Sequence, residues 1–188
     1  MIKLENFPIY KQLTPHTCGY ATLSMISTFL GKPIKENQIS KGPFYKIVGG
    51  TPPWEFVKIF KQCLPDCLIK LENPPSSIIA ETILKQIRAG MPVPIICSTP
   101  NDFDKPNLNM HYEVIIGIDK QKTRVILANP FGYEETLKIE NLLDKMAYRN
   151  YTKMPFRVRL VLWLGVLRRN NLFIVKKRGE DSASPKGR

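Results

Sequence analysis

The spacing of apolar residues changes from helical to extended part-way along the chain, and this change constrains the fold more than any other feature. In the first half, Ala21, Leu23, Met25, Ile26, Phe29 and Leu30 give a helix from about Cys18 to Leu30 a broad apolar face. Thr17 suits its N-cap, and Gly31 suits the position just past its end. A loop through Gly49-Gly50 leads to Thr51-Pro52-Pro53, which opens a helix through about Cys63, because proline fits a first helical turn. Ser76 or Ser77 starts a third helix, Ile78 to Ala89, ended by Gly90.

The second half reads as strands. Val93 to Cys97 is a short apolar run, and His111 to Asp119 and Arg124 to Ala128 are joined by four residues, short enough for an antiparallel hairpin. A helix from about Glu140 to Tyr148 and a final strand at Leu172 to Val175 complete the pattern. Helices first and antiparallel strands second predict an α+β domain, N-terminal helices packed on a C-terminal antiparallel sheet. One domain over residues 1–178 suits a chain of 188 residues, and the polar segment 179–188 is expected to be disordered.

Residues 158–167 are almost wholly apolar between basic flanks. A buried strand or helix is one expectation; a hydrophobic element resting on a membrane surface is the other. Residues 149–188 hold eleven Lys/Arg against Glu180 and Asp181, so this end carries +9 of the net +12. Such a tail suits either a solvated surface or an anionic membrane contacted through residues 157–178; nucleic acid is disfavoured, and oligomeric state is unreadable. No stretch approaches the ~20 apolar residues of a membrane span, and Met1 to Glu5 lacks the order of a signal peptide. The expectation is a cytoplasmic chain, with peripheral membrane attachment as the variant.

Four cysteines do not make a disulfide scaffold in a chain of this length. Cys63 and Cys67 are separated by Pro65, and only His16 and His111 could join them, so no zinc site or other cofactor is expected. Cys97 reads as a buried strand residue.

Cys18 stands apart. It begins a helix just after the helix-breaking run Leu13-Thr14-Pro15-His16-Thr17, where free N–H groups and the helix dipole favour a thiolate. Gly19 is expected to leave space beside the sulfur for a substrate carbonyl. Gln12 could donate to an oxyanion together with the Cys18 N–H; an ordinary loop role is the alternative. Of the two histidines, His16 is too close in sequence to face the sulfur, whereas His111 opens a strand that the fold can bring opposite. The returning strand ends at Asn129, whose carbonyl oxygen could hold the ring's other nitrogen. The loop from Thr99 to Met110 could wall the cleft, with Asp102 and Asp104 favouring a basic substrate or simply solvated.

This order of parts resembles the papain-like cysteine peptidases. Gln12, five residues, Cys18-Gly19, Ala21 and Met25-Ile26 are most similar to the double-glycine leader peptidases of bacteriocin exporters and their stand-alone relatives. His111-Tyr112-Glu113-Val114-Ile115-Ile116-Gly117-Ile118-Asp119 is similar to that family's histidine strand, and Ala128-Asn129-Pro130-Phe131-Gly132 to its third-residue motif; the likeness spans roughly residues 8–150. The resemblance implies a papain-like fold and a stand-alone peptidase cleaving a peptide or amide bond through Cys18, His111, Asn129 and an acyl enzyme. Acyl transfer on the same fold and a non-catalytic binding module remain open. The chain departs from the family at Asn129, where Asp is usual, and Ala128 offers no substitute carboxylate. Thr17 stands where exporter domains commonly have Asp, and no transporter segment or ATPase domain follows, so leader cleavage coupled to export is not the expectation.

Overall fold

A computed structural model describes residues 1–42, 45, 50–101, 105–165 and 167–178. The expected tail at 179–188, together with Gly49, Asp102, Asp104 and Val166, lies outside the described residues. Five helices, α1 (Cys18–Phe29), α2 (Pro53–Cys63), α3 (Ser76–Arg88), α4 (Ile139–Met146) and α5 (Phe156–Trp163), accompany seven strands among them. The strands are β1 (Ile2–Lys3), β2 (Cys67–Glu72), β3 (Val93–Asn101), β4 (Lys105–Ile118), β5 (Arg124–Asn129), β6 (Tyr133–Lys138) and β7 (Leu172–Lys177). They form one antiparallel sheet in the order β2-β7-β3-β4-β5-β6, with β1 pairing the far end of β4. Helices α1, α3 and α4 pack against it, so the α+β expectation holds.

The central helix is α1, buried continuously from Cys18 to Ser27. It ends as its sequence demands. Gly31 takes φ +80, a conformation costly for other residues, while its N–H and that of Lys32 reach back to the Thr28 and Ser27 carbonyls. At the start the expectation fails in part: Thr17 occupies the N-cap position, but its side chain makes no capping bond. Its hydroxyl is spent on Thr14 O at 3.0 Å, which leaves the first turn of α1 without a side-chain cap.

Other differences trace to pairing rather than propensity. His111 does not open its strand, because β4 begins at Lys105; likewise β3 runs on to Asn101, and what reads as a loop from Thr99 to Met110 is mostly the end of a hairpin. Residues 105–110 contain Pro106 and two asparagines, poor strand formers held extended by the β3 ladder. The unforeseen β6, Tyr-Glu-Glu-Thr-Leu-Lys, has no buried residue and pairs β5 as an edge strand. Likewise unforeseen, β2 has clear alternation only over its first four residues and pairs β7 throughout. The buried alternative for residues 158–167 holds in part: Leu167 is buried and Val158, Val161 and Leu162 pack on the core, but α5 has no fully buried residue.

Below the sheet, Phe56 stacks on Tyr112 (centroids 4.8 Å) and tilts against Phe173 (5.0 Å), joining α2 to β4 and β7. Phe56 is 1% exposed. Phe56→Ala is expected to cost about 3–5 kcal/mol of stability through the cavity it leaves. A lowered urea midpoint at unchanged m-value is the reading that checks it.

Candidate active site

Three elements meet at the start of α1. Strand β4 supplies His111 and, two residues on and therefore on the same sheet face, Glu113. Strand β5 ends at Asn129, and the register that sets Val114 opposite Ala128 brings Asn129 beside Glu113. The N-terminal segment closes the site from another side: Gln12 N–H donates to Pro130 O at 2.7 Å, and Lys11 bridges to Phe131.

His111 is 5% exposed, and its Nε2 lies 3.1 Å from Asn129 Oδ1. An amide oxygen only accepts, so Nε2 carries the proton and Nδ1 is left as the basic nitrogen. The Asn129 amide cannot turn over. Phe131 N–H donates to its oxygen at 3.0 Å, while its Nδ2 donates to Glu113 Oε1 at 3.3 Å and Tyr133 OH at 3.4 Å. The Phe131 ring stacks on the imidazole, centroids 4.4 Å apart and 18° from parallel.

Cys18 and His111 shift each other's protonation. Burial acts against the Cys18 thiolate, but the hydrogen bond to His111 and the charge of that ring outweigh it, aided by backbone bonds at Tyr112 and Gly19. The thiol is held below its ordinary value. For His111, burial opposes the imidazolium, and Cys18, the Glu113 carboxylate and Asn129 overcome it, so the ring is raised. A depressed thiol beside a raised imidazole is the condition for a thiolate–imidazolium pair.

Gln12 is buried, and its Nε2 donates to Thr14 O at 2.8 Å. The same carbonyl accepts from the Thr17 hydroxyl and N–H, which ties the amide to the residue before Cys18. One N–H of Gln12 is therefore engaged and the other remains, while its buried Oε1 makes no hydrogen bond. Gly19 corrects an expectation. A Cβ there would meet Thr51 Cβ at 3.0 Å and Tyr112 Cδ2 at 3.4 Å, so the missing side chain admits packing rather than leaving room for substrate. His16 is exposed in the turn before α1.

Glu113 is the residue that motif reading passed over. It is fully buried, and its Oε1 accepts from Thr99 Oγ1 at 2.8 Å, from Asn129 and, at 3.4 Å, from Lys145 on α4. Its Oε2 is buried without a hydrogen bond. The signal was present as a lone carboxylate in an apolar strand, two residues from the histidine. Cys97, opposite His111 in the β3–β4 register, is fully buried and pushed well above the thiol range, by burial first and Glu113 second. Cys63 is also raised by burial. None of the four cysteines forms a disulfide, and among the described residues no three His, Cys, Asp or Glu side chains gather into a metal site.

Solved structures share the fold that carries this site. The peptidase domain of Streptococcus ComA, a bifunctional ABC transporter of a quorum-sensing pathway, superposes with a TM-score of 0.52 at 13% identity, covering 72% of this chain and 89% of that one. A double-glycine-motif protease from an AMS/PCAT transporter, solved with its leader peptide, gives 0.54 at 12% identity, covering 93% and 94%. At such identities the likeness is one of fold, and the fold is papain-like. Among curated proteins, none matches the sequence. The profile of the Peptidase_C39-like family matches residues 4–157, most of the chain, and the chain belongs to that cysteine peptidase-like family.

Proposed function

We propose that this chain is a cysteine hydrolase that cleaves a peptide or amide bond, with Cys18 as nucleophile, His111 as base and Asn129 as the residue orienting it. The observation that carries the reading is the Nε2–Asn129 hydrogen bond at 3.1 Å, which leaves the opposite ring nitrogen for a thiol lowered by that same ring. The Cys18 thiolate attacks the carbonyl carbon, and charge develops on its oxygen. The Cys18 N–H at the uncapped start of α1 and the second N–H of Gln12 suit that oxygen. As the C–N bond breaks, the imidazolium gives its proton to the leaving amine. Water, deprotonated by His111, then hydrolyses the thioester, releasing the acid and restoring the thiol–imidazole pair.

Glu113 acts behind this set as a positioning residue. It holds the Asn129 amide from the rear and places a negative charge near the imidazolium. The carboxylate that relatives usually carry at the third position is thereby supplied one side chain further back. That a related double-glycine protease was solved with a leader peptide supports a peptide substrate.

Alkylation by iodoacetamide across pH, with the modified site mapped, tests the reading. The pair exists above the lowered Cys18 pKa and below the raised His111 pKa. Cys18 is therefore expected to react on a plateau that begins below the ordinary thiol range near ~8.5, before Cys63 or Cys97. A Cys18 that follows an unperturbed thiol curve would refute the assignment.

A further inference from the structure

Helix α5 is apolar on two sides. Val158, Val161 and Leu162, at spacing i, i+3, i+4, are partly buried and pack on the core. The opposite side also carries large apolar groups: Phe156 is 68% exposed, Leu160 39%, Trp163 81% and the following Leu164 58%. Phe156, Leu160 and Trp163 lie four and seven residues apart, so they make one stripe along the helix. At about 100° per residue, Arg157 falls on one flank of this stripe and Arg159 on the other. The Arg159 guanidinium lies 5.9 Å from the Phe156 ring centroid. Just beyond the helix, Arg168 and Arg169 are exposed.

No neighbour within the described residues covers the stripe, and the charge around it is of one sign. Residues 149–178 contain nine Lys/Arg and no Asp or Glu. Among the described residues none of the four arginines named above makes an ion pair. An exposed Trp and Phe between arginines is the composition of a helix that lies in a bilayer interface, rings at the acyl boundary and guanidinium groups among phosphates. A second copy of this chain fits the stripe poorly, since a symmetric contact would oppose the same arginines to each other. Aliphatic Leu160 and Leu164 suit acyl chains better than nucleotide bases. No helix among the described residues is long and apolar enough to cross a membrane, so contact here is from the side.

We propose that α5 docks this protein on an anionic membrane surface, with Phe156, Leu160 and Trp163 entering the interface and Arg157, Arg159, Arg168 and Arg169 held by lipid phosphates. This surface is independent of the Cys18 chemistry.

The test uses the whole chain with vesicles of phosphatidylcholine alone or mixed with equal phosphatidylglycerol. The protein is expected to sediment with the mixed vesicles, to be released as salt is raised, and to show a blue-shifted emission from Trp163 in a Trp54→Phe background. The double variant Phe156→Ser, Trp163→Ser should lose vesicle affinity roughly ten-fold or more at unchanged thermal midpoint, because both side chains are exposed. Arg157→Gln with Arg159→Gln should weaken binding to anionic vesicles. Equal recovery in the supernatant with and without phosphatidylglycerol overturns the proposal. So does undiminished binding by the Phe156, Trp163 variant, which would assign the attraction to diffuse charge, or a stable dimer that this variant dissolves without any vesicle binding.

Discussion

Replacing His111 with alanine is expected to lower turnover of a peptide substrate by about 10²–10⁴-fold, the usual contribution of a positioned general base. It should also abolish the reactivity of Cys18 at neutral pH. The ring is the main influence lowering a thiol that burial alone would raise. Without it burial decides, and Cys18 should come to resemble Cys97, which no such partner rescues. The alkylation plateau should then move to the alkaline side of the ordinary thiol range. His16→Ala, at an exposed turn, should leave both readings unchanged, and a His16 variant that silences Cys18 would reassign the base. Peptide hydrolysis and pH-resolved alkylation on the same preparations measure the two effects.

Glu113 gives the second large effect, and its two variants separate charge from geometry. Glu113→Gln retains an oxygen for the Asn129 amide and the Thr99 hydroxyl, so the Asn129–His111 contact should survive. What goes is the negative charge that helps raise His111. The expected result is a fall in kcat of about ten-fold at nearly unchanged KM, with the alkaline limb of the pH–rate profile moved to lower pH; ten-fold corresponds to about 1.4 kcal/mol. Glu113→Ala should do worse. It leaves the Asn129 Nδ2, Thr99 and the largely buried Lys145 without their shared acceptor, and breaking a buried ion pair costs about 3–5 kcal/mol. Denaturant unfolding should therefore register Glu113→Ala strongly and Glu113→Gln weakly. If both variants shift stability alike and leave the pH profile in place, Glu113 is only structural.

What could be read from the residues was what depends on local periodicity and punctuation. Helix α1 announces itself by its apolar repeat and by Gly31, and α2 by its prolines. The order of Cys18, His111 and Asn129 was legible because each sits at an element boundary or on a conspicuous apolar strand. What was not legible depends on partners distant in sequence. Strand β6 has only Leu137 packed on the core and is held by its ladder with β5. The length of β4 before His111 comes from β3. Thr17 looks like a cap from its type and place, but Thr14 takes its hydroxyl. Gly19 looks like an opening, and Thr51, thirty-two residues on, fills it. Glu113 disappears inside an apolar run; its role is visible only once Asn129, Thr99 and Lys145 converge on it from three other elements.

The clasp of the N-terminal segment onto the Asn129 turn, through Gln12 to Pro130 and Lys11 to Phe131, bears on when the chain acquires its chemistry. During synthesis Cys18 precedes its partners, because every group that lowers its pKa from outside its own helix lies at residue 111 or later. Until β4 and β5 have emerged and the leading segment has closed over them, the nascent polypeptide carries an unremarkable thiol. Long-range closure thus makes the reactivity proposed for Cys18 conditional on strands that are synthesised more than ninety residues after it.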